Sequence, residues 1–488
     1  MSELSDVPAH RLTGELPGRS ASEAASVVSD GDTVAVSGFG GVGYPKAVPE
    51  QLTDRESLTI VSAGGVGGEI DEDLVESGAM ARRAHFQTRR TVREAINGGE
   101  VGFFDRHVSQ FGDELRFGPG LDVDVAIVEA VAIGDGWVIP STSIGHVPAL
   151  IRAADRLVVE VNDAQPRALA AVHDVYDRDA PPDRDPIPLA EPTGRIGTPR
   201  LSFDPAELSA VVETDRPDDP YTFRDPTAVD REIGANLGAF LASELETNPL
   251  LAESVALQFG VGSLGNALMG ALSEIDFGDR TVCYFGEVVQ DGLLDMLDEG
   301  RLSGASATSL ALTTEGQQRF FQEIDRYVAD VVLRPADVSN NPALIERFGV
   351  VGVNSAVEVD CYGNVNATHV GGTRMVNGIG GGGDFARNCR LSIVALPSTA
   401  ADGEISRVVP MTPHVDHTDH DVAVVVTEHG VADLRGCTPR ERAESIVEIA
   451  HPEFRSELAA YVERAAAGNG QTPQDLETAF DWHVEWGH

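Results

Sequence analysis

Short apolar runs that end in glycine recur along the chain, and they set the expected elements. Asp32 to Ser37 (DTVAVS) reads as a strand running into GFGGVGYPKAVP, a glycine-rich loop. A helix is expected from Lys46 or Ala47, then a strand at Leu58 to Ser62 (LTIVS) ending in Gly64-Gly65. Asp122 to Ile133 alternates and then turns wholly apolar, as a strand entering a sheet does. Pro140 to Ser143 is a turn cluster, and Arg156 to Val161 is another buried-looking strand. In the second half a helix is expected over about Asp230 to Glu246 and a strand at Ser254 to Phe259. Gly260-Val261-Gly262, a helix through Leu272 and a strand at Thr281 to Phe285 follow. Val328 to Leu333, Leu391 to Leu396 and Val422 to Thr427 read as further strands, and the tail from Thr438 as helical.

Strands alternating with helices predict an α/β fold with largely parallel sheets. Gly38 to Thr59 and Gly260 to Thr281 are both 21-residue intervals with the same expected order of Gly-loop, helix and strand. That order suggests two similar α/β domains in tandem, residues 1–225 and 226–488. Proline and aspartate dominate Tyr176 to Pro226 (PPDRDP, RPDDP), which reads as an exposed connector or lid closing the first domain.

Gly286 breaks the run that ends at Phe285, and Glu287 stands at the break. Beyond it Val288, Val289, Leu293, Leu294 and Leu297 suit one face of a helix. One carboxylate is therefore expected at the carboxyl end of a strand, where open α/β sheets place their sites. An ordinary acidic residue at a strand end has the same pattern.

Charge narrows the partners. Against 78 acidic residues there are 36 basic ones, a net charge of −42, which argues against nucleic acid or an anionic membrane. Lys46 is the only lysine in the chain. Acid excess with almost no lysine suits a protein working in molar salt, where a Debye length of ~3 Å screens self-repulsion. No apolar run approaches the roughly 20 residues of a membrane helix. The N-terminus carries no basic, apolar signal. Cys283, Cys361, Cys389 and Cys437 are far apart, with no Cys-x-x-Cys pair, so a reducing cytoplasm fits.

Three further stretches carry candidate chemistry. Gly38 to Gly43 can aim backbone N–H groups at phosphate or carboxylate oxygens, or serve packing alone. Gly380, Gly381, Gly382 and Gly383 lie between Ile379 and Asp384, and such backbone freedom suits close approach to a ligand or another chain more than a plain flexible linker. His414, His417 and His420 with Asp416 and Asp419 have a spacing that can hold zinc or organise a turn. No accompanying pattern favours a metal, and none is expected.

Together GYPKAVP (43–49), IPSTSIG (139–145), GVGSLGNALMGAL (260–272), FGEVVQDG (285–292), VNATHVGG (365–372), NGIGGGGDFARN (377–388), ISRVVPMTPHVDHT (405–418) and TEHGVADLRG (427–436) span nearly the whole chain. In these segments the chain resembles the acetyl-CoA hydrolase/transferase family, a branch of the class I CoA-transferases. The resemblance implies two tandem CoA-transferase domains, often in a homodimer, with coenzyme A as substrate and no permanently bound cofactor. It implies Glu287 as nucleophile. It implies CoA or acyl contact by Gly260, Val261, Gly262, Ser263, Leu264, Asn354, Ile379 and Gly380 to Gly383. Relatives often carry a CoA-holding lysine before the ISRVVPM segment; here the stretch is ADGEISR, with Glu404.

The implied reaction moves CoA from a short-chain acyl-CoA to a carboxylate through a glutamyl-CoA thioester. Three alternatives stay open: hydrolysis of acetyl-CoA, transfer involving 4-hydroxybutyrate or propionate, and a non-catalytic CoA-binding module.

Overall fold

A computed structural model describes residues 7–86, 89–220, 224–260 and 263–486. The chain forms two compact units: Met1–Thr222 with Cys283–Leu344, and Phe223–Val282 with Ile345–His488.

The first unit is built on a nine-stranded sheet. Its strands are β1 (Thr33–Val36), β2 (Leu58–Ser62), β3 (Met80–Ala84), β4 (Gly102–Phe104), β5 (Val123–Gly134), β6 (Trp137–Pro140), β7 (Ala154–Asn162), β8 (Leu201–Ser202) and β9 (Leu208–Thr214). Seven run parallel in the order β4-β3-β2-β1-β5-β7-β9. From β1 the chain winds one way to β4 and then the other way from β5, so a topological switch point lies between β1 and β5. Val125, Ala126, Ile127 and Val128 of β5 are wholly buried, as expected of a parallel strand covered on both faces. Burying each such aliphatic side chain contributes about 1.5–3 kcal/mol. Beyond Glu129 the strand turns to an antiparallel partner, β6.

The structure departs from the sequence expectation at two places. The segment after the first glycine loop is a single 3₁₀ turn, Pro49–Leu52, and no α-helix starts at Lys46 or Ala47. The N–H groups of Lys46, Ala47 and Val48 are instead taken by the Glu160 carboxylate at 2.7–3.0 Å. The Pro/Asp-rich segment is also more than a connector. It contains β9, which pairs in parallel with β7 and buries Ala210, Val211 and Val212.

Residues Cys283–Leu344 are counted with the first unit. Ile144 N donates to Thr308 O (2.9 Å), Leu310 N to Thr142 O (3.0 Å) and Ala336 N to Gly145 O (2.8 Å). Arg334 and Asp174, both buried, form an ion pair of 2.6 Å across the same junction.

The second unit has parallel strands Ser254–Phe259, Val351–Ser355, Leu391–Ala395 and Val424–Thr427, neighbours in that order, with antiparallel Gly430–Asp433 beyond. Helix Ala228–Thr247 starts with a capping box between Thr227 and Asp230. The tail forms helices Pro439–Glu448, Pro452–Ala466 and Leu476–Trp486, whose Ile446, Phe454, Leu458 and Trp482 join an apolar cluster with Val359 and Val408. The two 21-residue intervals differ in the middle: the first holds the 3₁₀ turn, the second an α-helix, Ser263–Ser273. Among the described residues no helix is long and apolar enough to cross a membrane.

Candidate active site

Glu287 stands where the sequence pattern puts it, two residues past the strand Thr281–Phe285. The intervening glycine has a steric reason. A Cβ on Gly286 would lie 2.4 Å from the Tyr284 hydroxyl oxygen, so only glycine lets the chain pass over that ring. Burial, with the neighbouring Glu287 charge, holds the Tyr284 phenol protonated well above its usual range.

Glu287 itself is half-buried. Its Oε1 accepts a 3.1 Å hydrogen bond from Asn340 Nδ2, and its backbone carbonyl accepts from Thr308 N at 2.8 Å. Asn340, wholly buried, follows the short helix Ala336–Ser339. That helix is anchored by the Ala336–Gly145 bond, so the turn after β6 fixes where the amide sits. No local pattern in Ser-Asn-Asn-Pro marks Asn340, because its partner lies 53 residues away.

The first glycine loop packs against the residues that follow Glu287. A Cβ on Gly40 would stand 3.2 Å from Ala311 Cβ and 3.4 Å from Val288 Cγ1, and its φ is +69°. Ser309 Oγ donates to Phe39 O at 2.6 Å, and Val289 N to Ser309 O at 2.8 Å. The loop leaves β1 at the switch point, the place where doubly wound sheets hold ligands.

In the second unit Asn354 and Gln258 exchange amide hydrogen bonds of 3.2 and 3.3 Å. Asn354 Oδ1 lies 3.7 Å from where a Cβ on Gly260 would sit and 3.9 Å from one on Gly382. The structure thus brings together three expected binding positions of that unit. Val261 and Gly262 lie outside the described residues, and Ser263 and Leu264 open the helix Ser263–Ser273. Ile379 and Gly380 precede a helix, Gly382–Asn388, with Gly381 at its N-cap, so Gly382 and Gly383 form a first helical turn. Gly380 has φ +55°, which suits glycine.

The histidine cluster organises a turn. Asp416 accepts from Ala367 N at 2.7 Å and Thr368 Oγ1 at 2.8 Å and pairs with His414 at 3.1 Å. Among the described residues no group of three or more His, Cys, Asp or Glu is arranged to hold a metal ion.

Comparison with known proteins places the chain in a family. Residues 18–213 match the acetyl-CoA hydrolase/transferase N-terminal domain, and residues 316–462 the C-terminal domain. The chain is 41% identical over 473 residues to a succinyl-CoA:acetate CoA-transferase of Clostridium kluyveri, covering 95% of this chain and 88% of that protein. It is 38% identical over 483 residues to an acetyl-CoA hydrolase of Neurospora crassa, covering 93% and 91%. A solved 4-hydroxybutyrate CoA-transferase from Porphyromonas gingivalis superposes with a TM-score of 0.62 at 22% identity, over 92% of this chain and 97% of that one. The fold is therefore the α/β fold of the CoA-transferases. The chain belongs to the acetyl-CoA hydrolase/transferase family, and is an enzyme of the CoA-transferase or acyl-CoA hydrolase kind.

Proposed function

We propose that this enzyme moves CoA between a short-chain acyl-CoA, such as acetyl-CoA or succinyl-CoA, and a carboxylate acceptor, with Glu287 as the nucleophile. One observation carries the reading. A single carboxylate at a strand end is half out of water and oriented by a buried amide, as covalent catalysis requires.

In the first step a Glu287 carboxylate oxygen attacks the thioester carbonyl. The C–S bond breaks, CoA leaves as thiolate, and an acyl–glutamyl anhydride remains. The thiolate then attacks the glutamyl carbonyl, releasing the acid as carboxylate and leaving glutamyl-CoA. An acceptor carboxylate runs both steps in reverse and departs as the new acyl-CoA. Ping-pong kinetics follow. The Asn340 amide holds Oε1 in place and so orients the carboxylate toward the thioester. Backbone donors at Gly260 and Gly380 to Gly383, together with Asn354, are our candidates for binding CoA and the acyl group, alongside Val261, Gly262, Ser263, Leu264 and Ile379.

Both activities occur under the names of relatives, at 41% identity for the transferase and 38% for the hydrolase. Water attacking either intermediate would give hydrolysis, so exclusion of water separates the two. The test is loss of acyl-CoA with and without added acetate or succinate. Strong dependence on the carboxylate supports transfer. A rate indifferent to it makes the enzyme a hydrolase.

A further inference from the structure

The only lysine of the chain is buried at the switch point of the first sheet, with 1% of its surface exposed. Its ammonium donates to Glu129 Oε2 at 2.5 Å, Asp218 Oδ1 at 2.9 Å and the Tyr44 carbonyl at 2.9 Å. The Tyr44 ring centroid is 4.2 Å away. Three donors on a compact head meet three acceptors. A planar guanidinium presents its donors in a flat fork and needs more room. Everywhere else this chain uses arginine, so lysine here answers to geometry.

Asp218 is the hub. Besides Lys46, its Oδ1 accepts from Gly43 N at 3.2 Å, inside the glycine loop. Its Oδ2 accepts from Thr142 Oγ1 at 2.6 Å and Gln165 Nε2 at 3.1 Å. Two routes lead from that carboxylate to the nucleophile. Through Gly43 it holds the loop whose Phe39 carbonyl takes the Ser309 hydroxyl, and Ser309 O takes Val289 N. Through Thr142 it holds the backbone that takes Leu310 N. Next to Ser309 in the chain, Thr308 N bonds the Glu287 carbonyl. The charges are unequal, two carboxylates to one ammonium, and burial pushes the Glu129 carboxyl up to about 7. Such a cluster is weak support for stability as such.

We infer that Lys46 and Asp218 are positioning residues for the reaction, clamping the Gly38–Gly43 loop against the 306–311 segment that holds the Glu287 turn. The inference rests on Glu287 being the nucleophile. The lysine touches neither substrate nor reacting atoms; it sets where the carboxylate points. Displacing a reacting group by about 1 Å costs on the order of 10²-fold in rate, so the loss should fall on kcat.

Two variants test this, K46R and D218N, each first shown to be folded by circular dichroism at the assay temperature. D218N keeps the shape and an acceptor for Gly43 N, so it is the milder change. The expected result in both is a fall in kcat of about 10²-fold with KM for acyl-CoA changed less than about threefold. Amide hydrogen exchange should quicken in peptides covering 37–45 and 306–312 and stay unchanged on strand Val424–Thr427. A folded variant with kcat within about threefold of the parent, or with exchange faster everywhere alike, overturns the inference. E287Q separates the two readings. If E287Q keeps turnover, the nucleophile assignment fails while the exchange result stands; if E287Q is inactive and D218N normal, the clamp alone fails.

Discussion

Asn340 Nδ2 lies 3.1 Å from Glu287 Oε1, joining two residues 53 positions apart in the chain. A neutral amide at that place orients a carboxylate without neutralising it. Hydrogen bonds to charged groups are worth about 1.5–3 kcal/mol. N340A should therefore lower kcat by about 10- to 100-fold with little change in KM, read from steady-state kinetics on acyl-CoA. N340D puts a second carboxylate against Glu287 and should be slower still at neutral pH, recovering in part as pH falls.

Gly286 gives a prediction about packing. A methyl at this residue meets the buried Tyr284 hydroxyl at 2.4 Å. G286A should lower stability by about 1–3 kcal/mol in chemical denaturation and reduce activity, because the strain falls on the turn that carries Glu287. Gly270 is the contrast. It lies in helix Ser263–Ser273 with nothing within 4 Å of an added Cβ, so G270A should raise stability by about 0.5–1 kcal/mol.

Two buried histidines give a pH dependence with a definite sign. Burial pushes both His146 and His173 down to about 3. The His173 ring instead donates, neutral, from Nε2 to Ser141 O at 3.0 Å. An unfolded chain takes up protons on both near the ordinary value of 6.5, which the native state refuses until about 3. Stability contributed by these groups is thus full above about 6.5 and falls steadily as pH drops toward 3. H173Q, which keeps a donor for Ser141, should flatten that slope in denaturation measured from pH 7 to pH 4.

Much of this was legible in the sequence because apolar runs ending in glycine are a strong strand signal. Leu58–Ser62, Ser254–Phe259 and Thr281–Phe285 occupy the very residues their patterns mark. The strand Leu208–Thr214 escaped notice because prolines and acids on both sides mask a short valine-containing core. The expected helix at Lys46 gave way to long-range bonds from Glu160, which no local pattern encodes. Asn340 and Asp218 escaped for the same reason. Asn340 is a polar residue in a turn and Asp218 one of several acids in the irregular stretch after Leu208–Thr214, and the partners of each lie far along the chain.

Covalent catalysis by Glu287 requires a bond between that side chain and CoA. Incubation with acyl-CoA, reduction with borohydride and peptide mass spectrometry test it directly. A modified glutamate at position 287 is expected, formed without acceptor and discharged when a carboxylate is added. An active enzyme that shows no adduct there, or carries it on another residue, would contradict it.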